Sequence, residues 1–357
     1  MKVVFATQLL DADDPHLGQT LDMVAALARR CEQVLVLCDH VGRHALPENV
    51  TIRTFGAPGK ALRAVRFEEA LLRSRRPDAF LAHMVPRFLV LAAPVYRWRG
   101  VPLLLWYTHW NASRELRLAT SLADAVLSVH RDSFPLKTPK THAIGHAIDL
   151  LRFEPREAAL EQEGPLRLLA LGRTEPRKQL GTLLDAVELG AQSGLELRVE
   201  IRGPQITDRE RWHRDELARR VAASSVLAER VTLKPGVSRD EVPALIRAAD
   251  VVVSLTRGET AGGALDKVVY EAAACAVPVI AGNRNFEDLL GALPIPLLLP
   301  APSARDLVDV LSTLRQLPAA ARTELGRELR RRVELRHSAD AWANSVLSVA
   351  EELAGGK

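Results

Sequence analysis

Short, mostly apolar runs recur along the chain and alternate with longer stretches of helical periodicity. Runs at residues 2–7, 33–38, 50–54, 78–82, 101–106 and 125–129 have the length and content of buried strands. Between them, residues 20–29, 60–75, 87–98 and 113–122 space their apolar positions three and four apart and predict helices. The segment 60–75 sets Leu62, Val65, Ala70, Leu71 and Leu72 against Arg63, Arg66, Arg73 and Arg75. Residues 149–165 are charged, bounded by prolines and without a strand pattern, and read as a linker. The rhythm then restarts. Strands are expected at 166–171, 195–201, 231–233, 251–253 and 278–281, with helices at 180–189, 208–227 and 239–248. Helices at 304–314, 319–336 and 339–353 close the chain. Strands alternating with helices at these spacings form βαβ units with a parallel sheet. Two such runs predict an α/β protein of two Rossmann-like, doubly wound domains facing a cleft, with ligands at the carboxyl ends of the strands.

The chain is organised around 249–283, AADVVVSLTRGETAGGALDKVVYEAAACAVPVIAGN. A buried strand runs into a Gly-rich turn, and a helix opening at about Ala264 carries Asp266, Lys267 and Glu271 before Pro278 ends it. Free N–H groups and the positive end of a helix dipole suit a phosphate there, although an ordinary strand–helix crossover has the same outline. A second cluster lies in LLALGRTEPRKQLGTLLDAV, where a strand ends at Gly172 with Arg173 next and Lys178 five residues on. Two cations at a strand end can both reach one diphosphate; the alternative is a pair of solvated surface charges.

Composition narrows the function classes. A chain of 357 residues with 47% hydrophobic and 26% charged content is soluble, globular and long enough for two cores. No apolar run approaches the ~20 residues that span a bilayer. The start, MKVVFATQLLDADD, reads as a strand and not as a signal peptide. Cys31, Cys38 and Cys275 lack metal-ligand spacing and are odd in number, as expected of reduced thiols in the cytoplasm. A net charge of +4 and a pI of 9.1 favour phosphorylated ligands or an anionic membrane surface. Aromatic content of 4% argues against a nucleic-acid partner.

The order of these elements resembles the family-4 retaining glycosyltransferases, which have the GT-B fold. GRTEPRK resembles that family's G-R-x4-K element, and RVTLKPGVSRDEVPALIRAADVVVSL its following segment. YEAAACAVPVIAGN resembles the "E-A-m-A-x-G-x-P-V-i-a" element, and HAIGHAIDLLRF the stretch that ends the first domain, with Gly145-His146 where Asn-Gly is usual. The resemblance implies an acceptor-binding domain at 1–157, a nucleotide-sugar-binding domain at 158–336, and a C-terminal helix at 337–357 that packs back on the first.

It also implies roles. Arg173 and Lys178 match the pair that neutralises the donor diphosphate, and Glu271 matches the second glutamate of the E-x7-E element, which binds the ribose. A plain surface ion pair with Lys267 is the other reading of Glu271. The first glutamate of that element would fall at Gly263. Either Glu259 replaces it from a longer loop, or the sugar is held by N–H groups of Gly262, Gly263, Ala264 and Leu265 with Asp266 nearby. Gly172 and Gly18 match positions where backbone approaches the diphosphate, and His109 matches a histidine facing the donor sugar. Glu287 is a further acidic candidate.

The implied reaction is retaining, metal-independent transfer of a sugar from a nucleoside diphosphate sugar to an acceptor hydroxyl, with no cofactor. The acceptor is a glycan, a lipid-linked sugar or a small molecule, as in cell-envelope glycan biosynthesis. A sugar-nucleotide epimerase or a non-catalytic nucleotide-sugar-binding protein of the same fold stays open. The basic and apolar segments 60–75 and 87–99 would allow peripheral contact with the inner face of a membrane.

Overall fold

The structure is a computed structural model and describes residues 1–14, 17–157, 164–256 and 265–355. Among these, 1–149 and 336–355 form one compact unit and 150–335 a second. The first unit is built from β1 (Lys2–Leu10), α1 (Thr20–Ala28), β2 (Gln33–Val41), β3 (Val50–Thr54), α2 (Lys60–Leu72), β4 (Ala79–His83), α3 (Pro86–Trp98), β5 (Leu103–Trp106), α4 (Arg114–Leu122), β6 (Ala125–Ser128) and β7 (Thr141–Ala143). Its described strands pair in parallel in the order β3-β2-β1-β4-β5-β6-β7. Order reverses between β1 and β4, which is where sheets of this kind open a crevice. The core on one side joins Val4, Ala6, Phe80 and Leu105 of the sheet to Phe67, Leu71, Leu89 and Tyr96 of α2 and α3.

The second unit contains β8 (Leu166–Leu171), α5 (Leu180–Gln192), β9 (Leu197–Arg202), α6 (Asp208–Ala223), α7 (Ser225–Arg230), β10 (Val231–Lys234), α8 (Val242–Ala248), β11 (Val251–Ser254), α9 (Lys267–Ala274), β12 (Val279–Ala281), α10 (Glu287–Leu290), α11 (Ala304–Gln316) and α12 (Ala319–Arg336). Its described strands are parallel in the order β10-β9-β8-β11-β12, with the reversal between β8 and β11. Asp250, buried just before β11, accepts from the backbone N–H of Arg167 at 2.8 Å and from its guanidinium Nε at 3.0 Å, tying β11 to β8.

The chain's last helix, α13 (Ala339–Gly355), belongs to the first unit. Arg29 and Arg30 at the end of α1 both reach Asp340, at 2.6 and 2.9 Å. Trp342 is fully buried and meets Trp106 edge-on, with ring centroids 5.7 Å apart. Gly145 adopts φ +78°, and a Cβ there would lie 1.9 Å from the Arg336 carbonyl oxygen, so this approach requires glycine.

Several expectations from the apolar pattern change, β1 and β2 among them running three residues longer than expected, and α10 having no expected counterpart. The helix expected over 60–75 ends at Leu72, where the guanidinium of Arg99 takes the carbonyls of Leu71, Leu72 and Ser74. The single helix expected over 208–227 is two, because the Ser224 hydroxyl accepts from the Leu227 N–H and starts α7. Strand β7 has no counterpart in the expected elements.

Candidate functional site

The carboxyl ends of β8 and β11, either side of the order reversal in the second unit, gather the charged residues that matter. Strand β8 runs out into Gly172, whose φ of +132° favours glycine. The approach there is tight from a second direction: a Cβ on Gly203, after β9, would meet the Gly172 carbonyl oxygen at 1.7 Å. The chain then makes a short helical turn at Pro176–Lys178 and enters α5. That path returns Lys178 to the strand end, with its Nζ 3.5 Å from where a Gly172 Cβ would stand. Gly172, Arg173, Lys178, Ser254 and Leu255 share the wall of one small hollow.

Asp266 closes this group from the other side. It is the residue before α9, but its side chain does not cap that helix. Its Oδ1 lies 2.6 Å from Lys178 Nζ, and its Oδ2 accepts from Ser254 Oγ at 2.6 Å and from Thr256 Oγ1. The Asp266 and Lys178 side chains are only 12% and 14% exposed. Burial alone would raise the Asp266 carboxyl pKa. The Lys178 ammonium and the hydroxyl donors more than offset that and hold it below its ordinary value.

Arg173 is also held. Its guanidinium pairs with Glu175 and, at 3.2 Å, with Glu210. Glu210 is buried in the first turn of α6 and accepts from the N–H groups of Ile206 and Thr207 at 2.6 and 3.1 Å, while the Thr207 hydroxyl caps the helix in return. Burial pushes the Glu210 carboxyl up, but those N–H donors and Arg173 bring it below the usual carboxylate range. Glu175 also binds Arg177. Each cation keeps donors for another anion, since an ammonium has three and a guanidinium five.

The other expected residues fall as follows. Glu271 is 6% exposed and pairs at 3.0 Å with Lys267 one turn earlier, so the plain ion pair is present and the carboxylate is buried. Leu265 is buried. Gly262, Gly263 and Ala264, with Glu259, lie outside the described residues, as does the helix start expected at Ala264; the described part of α9 begins at Lys267. Gly18 and His109 belong to the first unit. Gly18 donates its N–H to the Asp14 carbonyl at 3.0 Å. His109 is half-buried, accepts from the Asn111 N–H at 3.2 Å and stacks on Trp110 with ring centroids 5.3 Å apart. Glu287 begins α10. Sequence reasoning passed over Ser254, Thr256, Glu175 and Glu210. Of these, Glu210 carried a readable signal, the Thr207-x-x-Glu210 capping box.

A glycine turn with paired cations at the switch point of a doubly wound parallel sheet places the chain in the class of α/β proteins with a crevice at the strand carboxyl ends. Residues 165–316, of which all the described ones lie within the second unit, match the family model described as glycosyl transferases group 1. Over 225 residues the chain is 30% identical to the GDP-mannose-dependent alpha-(1-6)-phosphatidylinositol monomannoside mannosyltransferase of two Mycobacterium tuberculosis strains. That alignment covers 55% of this chain and 56% of each relative, so the match spans just over half the length of the curated relatives. The fold is similar to that of a sucrose-phosphate synthase from Thermosynechococcus elongatus (TM-score 0.73, 18% identity, 100% of both chains). It is equally similar to Anabaena HepE in complex with UDP and glucose (TM-score 0.73, 17% identity, 99% of this chain and 100% of that one). A glycosyltransferase from Rickettsia africae shares it at TM-score 0.75 and 11% identity, over 99% and 98% of the two chains. These likenesses establish GT-B, two Rossmann-like parallel sheets, as the fold.

Proposed function

We propose that the protein is a retaining glycosyltransferase that moves a sugar from a nucleoside diphosphate sugar to an acceptor hydroxyl. The observation that carries this reading is the convergence of Gly172, Arg173 and Lys178 at the β8 end of a group 1 glycosyltransferase domain. The acceptor oxygen bonds to the anomeric carbon on the face from which the diphosphate departs. The anomeric C–O bond breaks with its electron pair to the diphosphate, and the acceptor proton passes to a diphosphate oxygen. No protein nucleophile is needed. The chief demand is stabilising charge on the leaving group, which Arg173 and Lys178 meet without a metal.

The curated relatives are named for GDP-mannose and a phosphatidylinositol mannoside, and HepE was solved with UDP and glucose. GDP- and UDP-sugars are therefore the leading donors for this chain, and a lipid-linked sugar the leading acceptor. Peripheral contact with the inner face of a membrane belongs to the same proposal. Helix α2 leaves Leu62, Val65 and Leu72 exposed beside Arg66, and Trp98 at the end of α3 is 85% exposed. No helix among the described residues is long and apolar enough to cross a bilayer.

A thermal-shift screen with UDP-, GDP- and ADP-sugars identifies the base, because a bound ligand raises apparent stability by mass action. With that donor, Lys178→Ala is expected to lose on the order of a hundredfold in turnover, in EDTA as well as in buffer. Turnover near wild type in Lys178→Ala overturns the mechanism.

A further inference from the structure

The first unit carries a basic hollow at the end of its sheet opposite the strand carboxyl ends. It has a volume of about 260 Å³ and is walled by Lys2, Arg53, Arg73, Arg75 and Arg76 over a floor that includes Leu35. No carboxylate is among its lining residues. Its origin is geometric. Leu35 of β2 pairs with Thr51 of the edge strand β3, and Arg53 follows on the same face as Thr51. Helix α2 packs on that face through Phe67 and Leu71 but ends at Leu72, leaving the β3 margin uncovered. The turn after α2 then lays Arg73, Arg75 and Arg76 along the opening.

Two of these cations are partly compensated from outside the hollow: Arg73 by Glu69 at 2.8 Å and Lys2 by Glu32 at 3.2 Å. Among the described residues the Arg76 side chain donates to the Gly100 carbonyl, at 3.4 Å. The side chains of Arg53 and Arg75 have no hydrogen bond or ion pair among the described residues. Cations often gather at a helix C-terminus because the dipole favours them there. That does not account for this group: Arg99 already takes the last carbonyls of α2, and Arg53 stands on a strand. Like charges in one hollow repel unless an anion joins them, and guanidinium forks fit phosphate oxygens in pairs.

We infer that this hollow is a binding site for a multiply charged phosphate group, separate from the sugar-donor site. The ligand chemistry is a phosphate with at least two negative charges, presented either by a soluble polyphosphate or by an anionic phospholipid headgroup. The inference does not depend on the transferase reading, since its test measures binding and not turnover.

The full chain carrying Arg173→Ala and Lys178→Ala, which removes the cations of the other candidate phosphate site, is titrated with tripolyphosphate by calorimetry at low ionic strength. Adding Arg53→Gln and Arg75→Gln is expected to weaken binding at least about tenfold, with Arg53→Lys and Arg75→Lys, which keep the charge but lose the fork, weakening it less. In parallel, phosphatidylcholine vesicles with and without phosphatidic acid, whose phosphomonoester can carry two charges, are floated with the wild type and with the Gln pair. Tripolyphosphate binding that depends on the pair while flotation does not supports the site with a soluble occupant. Flotation that needs both phosphatidic acid and the pair supports it with a headgroup. Indifference of both readouts to the Gln pair, in a protein whose melting temperature is unchanged, overturns the inference. The exposed face of α2 is left intact throughout, so vesicle binding through Leu62 and Val65 would survive the Gln pair and be told apart.

Discussion

Asp266 is the residue on which the second-unit site turns. One oxygen faces Lys178 and the other takes two hydroxyls, so Asp266 fixes where the ammonium stands before any ligand arrives. Replacing it with Asn keeps the shape but leaves a largely buried ammonium without its counter-charge, and removing one partner of a buried pair costs about 3 kcal/mol. The acid side of the stability curve tests the assignment. Because the folded pKa of Asp266 lies below its unfolded value of about 3.9, its stabilisation is complete above that pH and is lost as pH falls through the folded value. Asp266→Asn is thus expected to be less stable at pH 7, measured by urea unfolding, and to lose less than wild type on acidification. Equal stability of the two proteins at pH 7 would remove Asp266 from this role. The link was not visible in the chain, because Lys178 and Asp266 are 88 residues apart. Spacing showed each beside a strand end; only the β8–β11 pairing shows that the two ends are neighbours.

At the scale of single elements, strand β4 carries a second titratable group, His83. Its ring stacks on Phe5 of β1 with centroids 5.4 Å apart, and its Nδ1 lies 3.0 Å from Thr7 Oγ1. Burial pushes its pKa down to about 3, against about 6.5 for a free histidine. Between those values the unfolded chain binds a proton that the folded one refuses, so stability falls as pH drops through that window and is flat above it. The slope from this one group approaches 1.4 kcal/mol per pH unit. His83→Gln is expected to flatten the decline between pH 6 and 4 in a denaturant series; an unchanged slope would place the acid sensitivity elsewhere. The strands around His83 were legible because sheet strands covered on both sides are apolar at nearly every position, as in Ala79–Leu81 and Leu103–Leu105. β7 was not, since Thr141-His142-Ala143 is a three-residue edge strand of half-buried side chains without an apolar run. The break between α6 and α7 was equally hidden: α6 buries only Glu210 and Leu217, so periodicity gave no phase from which to see it stop.

For the whole molecule, the arrangement of the chain matters more than any one contact. The first unit is assembled from both ends of the sequence, and α13 is the piece that returns to it. The Ile148 N–H donates to the His337 carbonyl, and the Ala339 N–H to the Ile148 carbonyl, each at 2.8 Å, so the returning chain is aligned before the helix begins. Helix α13 then buries Trp342, Ala343, Val346 and Ala350. Truncating a buried tryptophan to alanine costs about 3–5 kcal/mol, and at Trp342 that cost should fall on the first unit, which holds both Trp342 and Trp106. The indole N–H of Trp342 has no acceptor among the described residues. Trp342→Phe therefore removes an unpaired donor along with some packing, and should cost much less than the alanine change. Hydrogen exchange read by mass spectrometry separates the units. In Trp342→Ala, peptides from β1, α1 and β5 should lose protection, while peptides from β8, β9 and α5 keep theirs. Loss of protection spread evenly over both units would mean that the chain unfolds as one cooperative body, and that the return of α13 stabilises more than the sheet it packs on.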